Sequence, residues 1–348
     1  MYAWEKTVVD EITVKSSAIA HSNIALIKYW GRSLDHNANL NIPSNDSVSM
    51  TKHGLTLDMR LQTHTTIDFS DAYEEDTAIL EGEVLIGREM ERILRVVDPL
   101  RKYANIDSKF KMMSENDFPT QAGLGSSASG FAALAIAAVT ALGIDFSKEE
   151  ISTYARLGSG SATRSIRGGF VYWNKGNSHE TSSAEQICGP DEFNMNSVIA
   201  IIHEGTKDVT SDVGHESAYT SPFNEIRIKK SQEQAREIRK AILDDDLSKV
   251  GRIAEENCRY MHAVMMTSNP PLFYWRPETL RLIKSVQRIR ENGLECYFTI
   301  DAGPNVHCLC RPEDTYELQK TLEKMESVNK TILVEPADDS HATREHLF

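Results

Sequence analysis

The apolar residues of the chain recur with two different periods, which predict strands in some segments and helices in others. Polar and apolar residues alternate with a period of two in ITVKSSAIA, LTLDMRLQ, HTTIDFS and FKMMSEN, a pattern typical of half-buried antiparallel strands. Gly82 to Tyr103 carries apolar residues at helical spacing until Pro99, which is expected to interrupt the helix. The first third of the chain therefore mixes strands and helix.

The middle of the chain contains one unusually apolar segment. Ser126 to Leu142 has small and apolar residues on all sides, which predicts a buried central helix rather than an amphipathic surface helix. A second helix is expected over roughly Lys148 to Leu157. The Gly/Ser-rich run GSGSATRSIRGG follows it and predicts a loop that leads into the strand FVYW.

The second half of the chain is mostly helical. SVIAIIH predicts an apolar strand, and the following GTKDVTSDVGHES predicts a polar loop. Helical spacing returns in KSQEQAREIRKAIL, LSKVGRIAEENCRYMHAVMM and PETLRLIKSVQRIREN, and CYFTIDAGPNVHCLCRP predicts a strand, a Gly/Pro turn and a returning strand. Loop composition places a boundary near Ser182 to Asn194, so we expect domains over residues 1–190 and 191–348.

Composition is that of a globular protein, with 348 residues of which 40% are hydrophobic and 26% charged. A net charge of -13 argues against a nucleic-acid-binding protein. Five cysteines without CxxC spacing predict buried reduced thiols and no metal site. The acidic N-terminus is unlike a signal peptide, and no run approaches the roughly 18 apolar residues of a membrane span. We therefore expect a cytoplasmic protein with neither nucleic-acid nor membrane partners.

The Gly/Ser-rich segment Pro119 to Gly130 lies between a predicted strand and the Ala-rich helix. Free backbone N–H groups and the positive end of the helix dipole meet at such a junction, which favours an anion. On its own the segment also fits a simple helix cap, and it lacks the GK[ST] ending of a Walker loop. The candidate phosphate-binding residues are Gly123, Gly125, Ser126, Ser127 and Ser129.

Several separated segments carry a resemblance to one family. PTQAGLGSSASGFAALA resembles the phosphate loop of the GHMP kinase superfamily, and more narrowly that of the diphosphomevalonate decarboxylases. Five further segments resemble the same decarboxylases in the same order: NIALIKYWG from Asn23, IPSNDSVS from Ile42, GSGSATRS from Gly158, SNPP from Ser268 and DAGPN from Asp301. Together they span about residues 20 to 310.

This resemblance implies an α+β fold of the GHMP kinase type, with antiparallel-rich sheets, packed helices and two sub-domains around a deep cleft. It also implies a small phosphorylated substrate, because these decarboxylases remove the C1 carboxylate and a C3 oxygen leaving group from a mevalonate phosphorylated at its 5 end. A homodimer is expected from the family and from the prevalence of two-fold oligomers.

The resemblance assigns roles to individual residues. Asp301 is expected beside the C3 oxygen and Arg164 on the substrate carboxylate, where a planar guanidinium suits a bidentate partner. Lys28 completes the candidate catalytic set, although strand alternation allows only one of Lys28 and Tyr29 to face the cleft. Candidate substrate-binding residues are Asn23, Tyr29, Arg32, Ser159, Ser161 and Ser211. Arg167, His21, His262 and His307 have no matching role and are expected to be structural.

A few positions depart from the family pattern. Arg32 stands where relatives usually have lysine, and Thr163 where they commonly have cysteine. Asp212 and Gly214-His215 occupy a loop where some relatives carry Arg and a Gly-Met pair that meet the 5-diphosphate. A carboxylate there would repel the terminal charge of a diphosphate. These departures favour a 5-monophosphate substrate.

Three reactions remain open on this fold. They are ATP-dependent decarboxylation of 5-diphosphomevalonate, the same reaction on 5-phosphomevalonate, and ATP-independent decarboxylation of mevalonate 3,5-bisphosphate to isopentenyl phosphate. We favour the last, which needs no cofactor, because the departures cluster at phosphate-reading positions; either alternative needs ATP and magnesium. A mevalonate 3-kinase would share the fold but release no CO2. An inactive binding protein is the other alternative, but it would not need both Asp301 and Arg164.

Overall fold

The structure, a computed structural model, describes residues 15–56, 59–118, 124–205 and 211–348. Its strands are β1 Lys15–Ile27, β2 Ser47–Gly54, β3 Gln62–Ser70, β4 Thr77–Leu80, β5 Glu83–Val84, β6 Lys109–Asn116, β7 Phe170–Trp173, β8 Ala184–Cys188, β9 Asn196–Ile201, β10 Cys296–Thr299, β11 Val306–Cys310, β12 Lys330–Pro336 and β13 His341–Thr343. Its helices are α1 Arg88–Ala104, α2 Ser126–Ala141, α3 Lys148–Gly158, α4 Ser211–Ser217, α5 Asn224–Leu243, α6 Leu247–Thr267, α7 Pro277–Glu291 and α8 Thr315–Glu323.

The strands form a mostly antiparallel sheet in the order β10-β11-β9-β12-β2-β1-β3-β6-β4-β5, in which β4 and β6 run parallel. The sheet crosses the predicted boundary, because β12 pairs with β9 on one side and with β2 on the other. The long strand β1 pairs with β3 along residues 15–21 and with β2 along residues 22–27. Strand β1 therefore joins the two parts of the sheet.

Helix α2 is buried along its length against β1 and β3, as its all-round apolar composition predicts. It begins after Gly125, which has φ 98°, a left-handed conformation that favours glycine. Helix α3 begins at a capping box in which the Ser147 hydroxyl accepts from the Glu150 N–H and the Glu150 carboxylate accepts from the Ser147 N–H. Both predicted helices are therefore present close to their expected bounds.

Three predictions of local structure were wrong. Helix α1 continues through Pro99 to Ala104, and burial of Val96, Val97 and Leu100 on one face supports the helix where proline removes a hydrogen-bond donor. Of the described residues of LTLDMRLQ, only Gln62 belongs to a strand, as the first residue of β3, and Thr56 and Met59 pair in an isolated bridge. The described end of GTKDVTSDVGHES is the short helix α4 rather than a loop.

The other sequence features lie close to where the pattern placed them, except that the predicted loop GSGSATRSIRGG contains a short 3-10 helix, Gly160–Ser165, and the helix expected from Gly82 begins at Arg88. FVYW, SVIAIIH and FKMMSEN contain β7, β9 and β6, and CYFTIDAGPNVHCLCRP contains β10, a turn and β11. All five cysteines are buried and unbridged. Within the described ranges, no helix has the length and apolar character to cross a membrane, and no group of three or more His, Cys, Asp or Glu side chains is arranged for a metal ion.

Candidate active site

A cavity of about 310 Å³ opens where β1, the turn after β10, the start of α2 and the end of α3 meet. It gathers most of the residues that the sequence singled out from distant parts of the chain. The predicted residues that line it are Lys28, Tyr29, Arg32, Gly125, Ser127, Ser159, Ser161, Arg164, Ser211 and Asp301. The candidate catalytic residues therefore share one space with the described end of the phosphate loop.

Lys28 and Asp301 form an ion pair in this cavity. Lys28 follows β1 directly and is buried, and its Nζ lies 2.6 Å from Oδ1 of Asp301 and 2.7 Å from the carbonyl oxygen of Ala25. Asp301 follows β10, and its side chain is 40% exposed to the cavity. The Thr299 hydroxyl donates to the Ala25 carbonyl at 3.1 Å, so the end of β10 is tied to β1 beside the ion pair.

The charges around Asp301 decide its protonation state. Burial acts to raise the pKa of the carboxyl, but the charge and hydrogen bond of Lys28 and the charge of Arg164 outweigh burial and hold the pKa below its ordinary value. Asp301 is therefore ionised at neutral pH. An ionised carboxylate that is open to the cavity is suited to accept a proton or a hydrogen bond from a substrate hydroxyl.

Arg164 is held by two side chains that lie outside its own segment. Its Nη1 donates to the Ser47 hydroxyl at 2.6 Å, and its Nε and Nη2 donate to Oδ1 of Asn23 at 3.3 and 3.2 Å. Asn23 in turn donates to the Ser165 hydroxyl at 2.7 Å and to the Ser161 carbonyl at 3.1 Å. Asn23 does not line the cavity itself, so its place in the site is to orient the guanidinium.

Arg164 keeps its charge despite its burial. Burial lowers the pKa of the guanidinium to about 10, and the charge of Asp301 opposes that change. Arg164 therefore presents a buried cation to the cavity at neutral pH. A carboxylate that enters the cavity would meet little competition from water for this cation.

A group of serine hydroxyls lies where α2 begins and α3 ends. The Ser159 Oγ is 3.1 Å from that of Ser161 and 3.4 Å from that of Ser127. Gly160 lies between the two serines, and a Cβ at this position would be 2.5 Å from Cε1 of Tyr29. Only glycine lets the chain pass so close to the Tyr29 ring, which explains part of the GSGSATRS motif.

The candidate phosphate-loop residues separate into groups. Gly125 and Ser127 line the cavity, whereas Ser126 lines a smaller adjoining cavity. Ser129 is a buried residue of α2 whose hydroxyl lies 2.6 Å from that of Thr63 on β3, and it lines neither cavity. Gly123 lies outside the described residues.

The adjoining cavity has about 190 Å³ and a largely apolar wall. It shares Ser127, Glu89 and Arg92 with the main cavity. Its apolar lining residues are Leu80, Leu85, Ile93, Met112, Phe131 and Leu134. An apolar space beside the start of α2 could hold the flat ring of a nucleotide whose phosphates reach the loop.

The opposite wall of the main cavity is aromatic and includes His215 of α4. The His215 Nδ1 accepts from the Gly31 N–H at 2.9 Å, and its ring centroid lies 4.2 Å from that of Tyr29 and 4.8 Å from that of Trp30. Both Tyr29 and Lys28 line the cavity, so the chain does not alternate between cavity and core here. Ser211 begins the same helix, which places it at this wall.

Some residues of the site carried no signal in the sequence. Asn257 on α6 accepts the backbone N–H of Lys28 at 2.8 Å and donates to Ser231 and Gln234, yet in the sequence it is only one polar position of a long helix. Arg88, Glu89 and Arg92 of α1 line the cavity but read as ordinary surface charges. Contacts across such sequence distances cannot be inferred from local pattern.

The residues expected to be structural do not line the main cavity, although His262 and His307 lie close enough to Lys28 and Asp301 to interact with their charges. Arg167 pairs with Glu149 at 2.8 Å and with Asp339 at 3.4 Å. Burial lowers the pKa of His21 to about 4 and that of His262 to about 3, and it lowers the pKa of His307 well below its usual range. All three histidines are therefore neutral at physiological pH.

Comparisons with known proteins match both halves of the chain to one family. The family models described as diphosphomevalonate decarboxylase-like N-terminal domain and mevalonate 5-diphosphate decarboxylase C-terminal domain match residues 20–184 and 197–345. Diphosphomevalonate decarboxylase from Candida albicans is 36% identical over 306 residues, which cover 83% of this chain and 82% of the relative. Phosphomevalonate decarboxylase from Haloferax volcanii is 32% identical over 295 residues, which cover 84% of this chain and 87% of the relative.

The similarity extends to three-dimensional structure. A solved structure described as MDDEF in complex with MVAPP, AMPPCP and magnesium has a TM-score of 0.86 and 36% sequence identity to this chain. The match covers 95% of this chain and 99% of that chain. The arrangement of elements around the cavity is therefore shared along nearly the whole chain.

Proposed function

The chain belongs to the diphosphomevalonate decarboxylase family of the GHMP superfamily, and from this premise we propose that it decarboxylates 5-diphosphomevalonate in an ATP-dependent reaction. At the coarser level it is a mevalonate-pathway decarboxylase that acts on a phosphorylated mevalonate. The GHMP kinase fold predicted from the sequence is confirmed. The observation that supports the use of ATP is the apolar cavity that adjoins the main cavity at Ser127.

The ATP-independent bisphosphate reaction, favoured by the sequence, receives less support than this alternative. A substrate that already carries its 3-phosphate needs no nucleotide. The bisphosphate reaction therefore provides no ligand for the apolar cavity beside the start of α2. The similar structure with MVAPP contains AMPPCP, an ATP analogue, and magnesium. The expectation that no cofactor is used is therefore replaced by a proposal of ATP and magnesium.

The residues present fit a magnesium nucleotide. The apolar cavity would hold the base, and the backbone at Gly125 with the Ser127 hydroxyl would hold phosphate oxygens at the start of α2. Serine hydroxyls and nucleotide phosphates are oxygen ligands of the kind that magnesium prefers. ATP, when bound, supplies the phosphoryl group that turns the C3 hydroxyl into a leaving group.

Residues of the chain accept the proton of the 3-hydroxyl and bind the C1 carboxylate. Asp301 accepts the proton of the 3-hydroxyl, and Lys28 keeps Asp301 ionised until that proton arrives. Arg164 binds the C1 carboxylate and fixes its orientation. When phosphate departs from C3, the C1–C2 electron pair forms the C2–C3 double bond and C1 leaves as CO2.

The 5 end of the substrate would lie toward the serine and aromatic walls. Arg32, Tyr29, Ser159, Ser161 and Ser211 remain our proposed ligands there, with His215 as an addition. A 5-monophosphate substrate is the second candidate, because Glu216 lies 4.0 Å from Arg32 and offsets part of the charge that a diphosphate would need. The side chain of Asp212, which the sequence places opposite a diphosphate, lies outside the described part of the structure.

The experiment compares three substrates in parallel. Purified protein is incubated with 5-diphosphomevalonate and MgATP, with 5-phosphomevalonate and MgATP, and with mevalonate 3,5-bisphosphate without ATP. We expect CO2 and ADP in equal amounts from the first mixture. ADP without CO2 would indicate a 3-kinase, and CO2 from the third mixture alone would overturn the proposal.

The domain organisation and the oligomeric state are also proposals. We infer sub-domains over residues 1–190 and 191–348 that contribute opposite walls of the cavity, and a cytoplasmic homodimer as the functional form. Light scattering coupled to gel filtration at several protein concentrations measures the mass of the particle. A mass near the 39.0 kDa of one chain at all concentrations would rule out the dimer.

A further inference from the structure

Lys52 on β2 is a buried cation that neither the motifs nor the reaction uses. Its side chain has no exposed surface, and its Nζ donates to the Ser22 hydroxyl at 2.8 Å and to the Leu124 carbonyl oxygen at 3.1 Å. Within the described residues it has no carboxylate at ion-pair distance. Lys28, the other buried lysine of this region, has Asp301 as its partner.

The two acceptors of Lys52 lie on the two sides of one contact. Leu124 directly precedes Gly125, the residue at which α2 begins. A Cβ on Gly125 would lie 3.3 Å from Cβ of Ser22 and 3.5 Å from the carbonyl oxygen of Asn23. The end of the phosphate loop therefore packs against β1. The ammonium of Lys52 links the two by its hydrogen bonds to Leu124 on the loop and Ser22 on the strand.

The complete burial of the Lys52 ammonium is costly. Burial lowers the pKa of the Lys52 ammonium to about 7, while the charge of Asp301 acts in the opposite direction. An apolar side chain of similar length would fill the same volume without that cost. A buried cation at this place indicates a role in positioning the end of the phosphate loop and in the charge balance of the main cavity.

We propose that Lys52 is a positioning residue for the phosphate loop. It fixes the Leu124 carbonyl against β1, and it places a positive charge behind the start of α2, where the nucleotide phosphates bind. The proposal rests on the proposed function, because it takes the loop to be the site of ATP. Lys52 itself lines neither cavity, so it acts on the phosphates through the loop and through its charge.

Charges on the surrounding elements set how Lys52 responds to a ligand. Asp301 after β10 favours its protonated form, whereas His307 on β11 is disfavoured as a cation by Lys52 and by Lys28. Nucleotide phosphates would add negative charge on the loop side and favour protonation of Lys52. ATP binding is therefore expected to take up protons above neutral pH, and ATP affinity is expected to fall as pH rises from 7 to 9.

The main test replaces Lys52 by methionine and leaves the rest of the chain intact. For Lys52→Met we expect the dissociation constant of ATP at pH 7 to rise about tenfold, the order expected for loss of a charge-assisted hydrogen bond. The KM of the mevalonate substrate should change less than twofold. Lys148→Met is the matched control, because Lys148 lies on α3 and pairs with Asp339 away from the loop.

A second measurement uses the wild-type protein and does not depend on the folding of a variant. Calorimetric titration with MgATP at pH 8, in two buffers of different ionisation enthalpy, gives the number of protons taken up. ATP phosphates are fully ionised at this pH, so uptake reports on the protein. We expect a clear fraction of a proton for wild type and for Lys148→Met, and none for Lys52→Met.

The outcomes separate this proposal from the proposed function. ATP affinity of Lys52→Met within twofold of wild type at pH 7 and 9, or no proton uptake by wild type, would overturn the role of Lys52. If wild type binds inorganic triphosphate but not ATP, the ATP-dependent function is wrong, and the same comparisons with triphosphate decide the role of Lys52. If wild type binds neither anion, both proposals are wrong.

Discussion

Lys28, directly after β1, and Lys52, on the neighbouring strand β2, are both fully buried lysines, and they differ in their partners. Lys28 contacts the carboxylate of Asp301, whereas Lys52 contacts a hydroxyl and a carbonyl oxygen. The ion pair with Lys28 holds the pKa of Asp301 down, whereas burial without a carboxylate at ion-pair distance lowers the pKa of Lys52 to about 7. The charges around Asp301 are arranged before substrate binds, and under the proposed function Lys52 would gain its balancing charge when the nucleotide binds.

The largest effect is expected from the acceptor at the reaction end. Asp301→Asn keeps the size of the side chain but cannot take a proton, so kcat for CO2 release should fall about 10³-fold. The KM for substrate should change little. Circular dichroism and the thermal midpoint check that the variant folds. Activity within tenfold of wild type would contradict the role of Asp301.

Removal of the cation that faces the substrate carboxylate should have the next largest effect. Arg164→Met should lower kcat/KM about 10²-fold, chiefly through a higher KM for the mevalonate substrate, because one charge-assisted bidentate contact is lost. Asn23→Ala leaves the charge but removes the acceptor that orients it, so it should cost less. Equal losses in both variants would mean that orientation, rather than charge, is the contribution of Arg164.

Loss of Lys28 should leave Asp301 without its ion-pair partner, as Lys52 is without one in the wild type. In Lys28→Met, burial of Asp301 is opposed chiefly by the charge of Arg164, so the pKa of Asp301 should rise. Asp301 must be ionised to act, so kcat should be lost as pH falls through the raised pKa. Wild type, in which the pKa is depressed, should keep its kcat between pH 8 and pH 6. Parallel pH profiles for the two proteins would argue against this coupling.

The smallest effect is expected at the 5 end. Glu216→Gln removes a carboxylate 4.0 Å from Arg32, which should raise kcat/KM for 5-diphosphomevalonate a few-fold more than for 5-phosphomevalonate. The pair is largely exposed on the glutamate side, so added salt should reduce the difference. Glu225→Gln, on the first turn of α5, is a suitable control.

Local pattern predicted much of the fold, because α2, α3 and the β10-turn-β11 unit each follow from their own residues. Local pattern failed where packing against distant segments determines the structure. At Pro99, for example, the helix continues because one face of it is buried. The motif resemblance brought Lys28, Arg164 and Asp301 together correctly in one cavity. Lys52, Asn257 and the apolar cavity escaped detection, because their positions depend on contacts between segments far apart in sequence.

The change of partners along β1 has a consequence for how ligands are spaced. One strand carries Ser22, on which the loop end rests, and leads directly to Lys28, which holds Asp301. Six residues of extended chain span at most about 20 Å and have little freedom to stretch. If ATP binds at the loop as proposed, the distance between its phosphates and the acceptor oxygen of Asp301 would be set by this hydrogen-bonded strand, which is bulged between Ala25 and Ile27, and not by a hinge between domains.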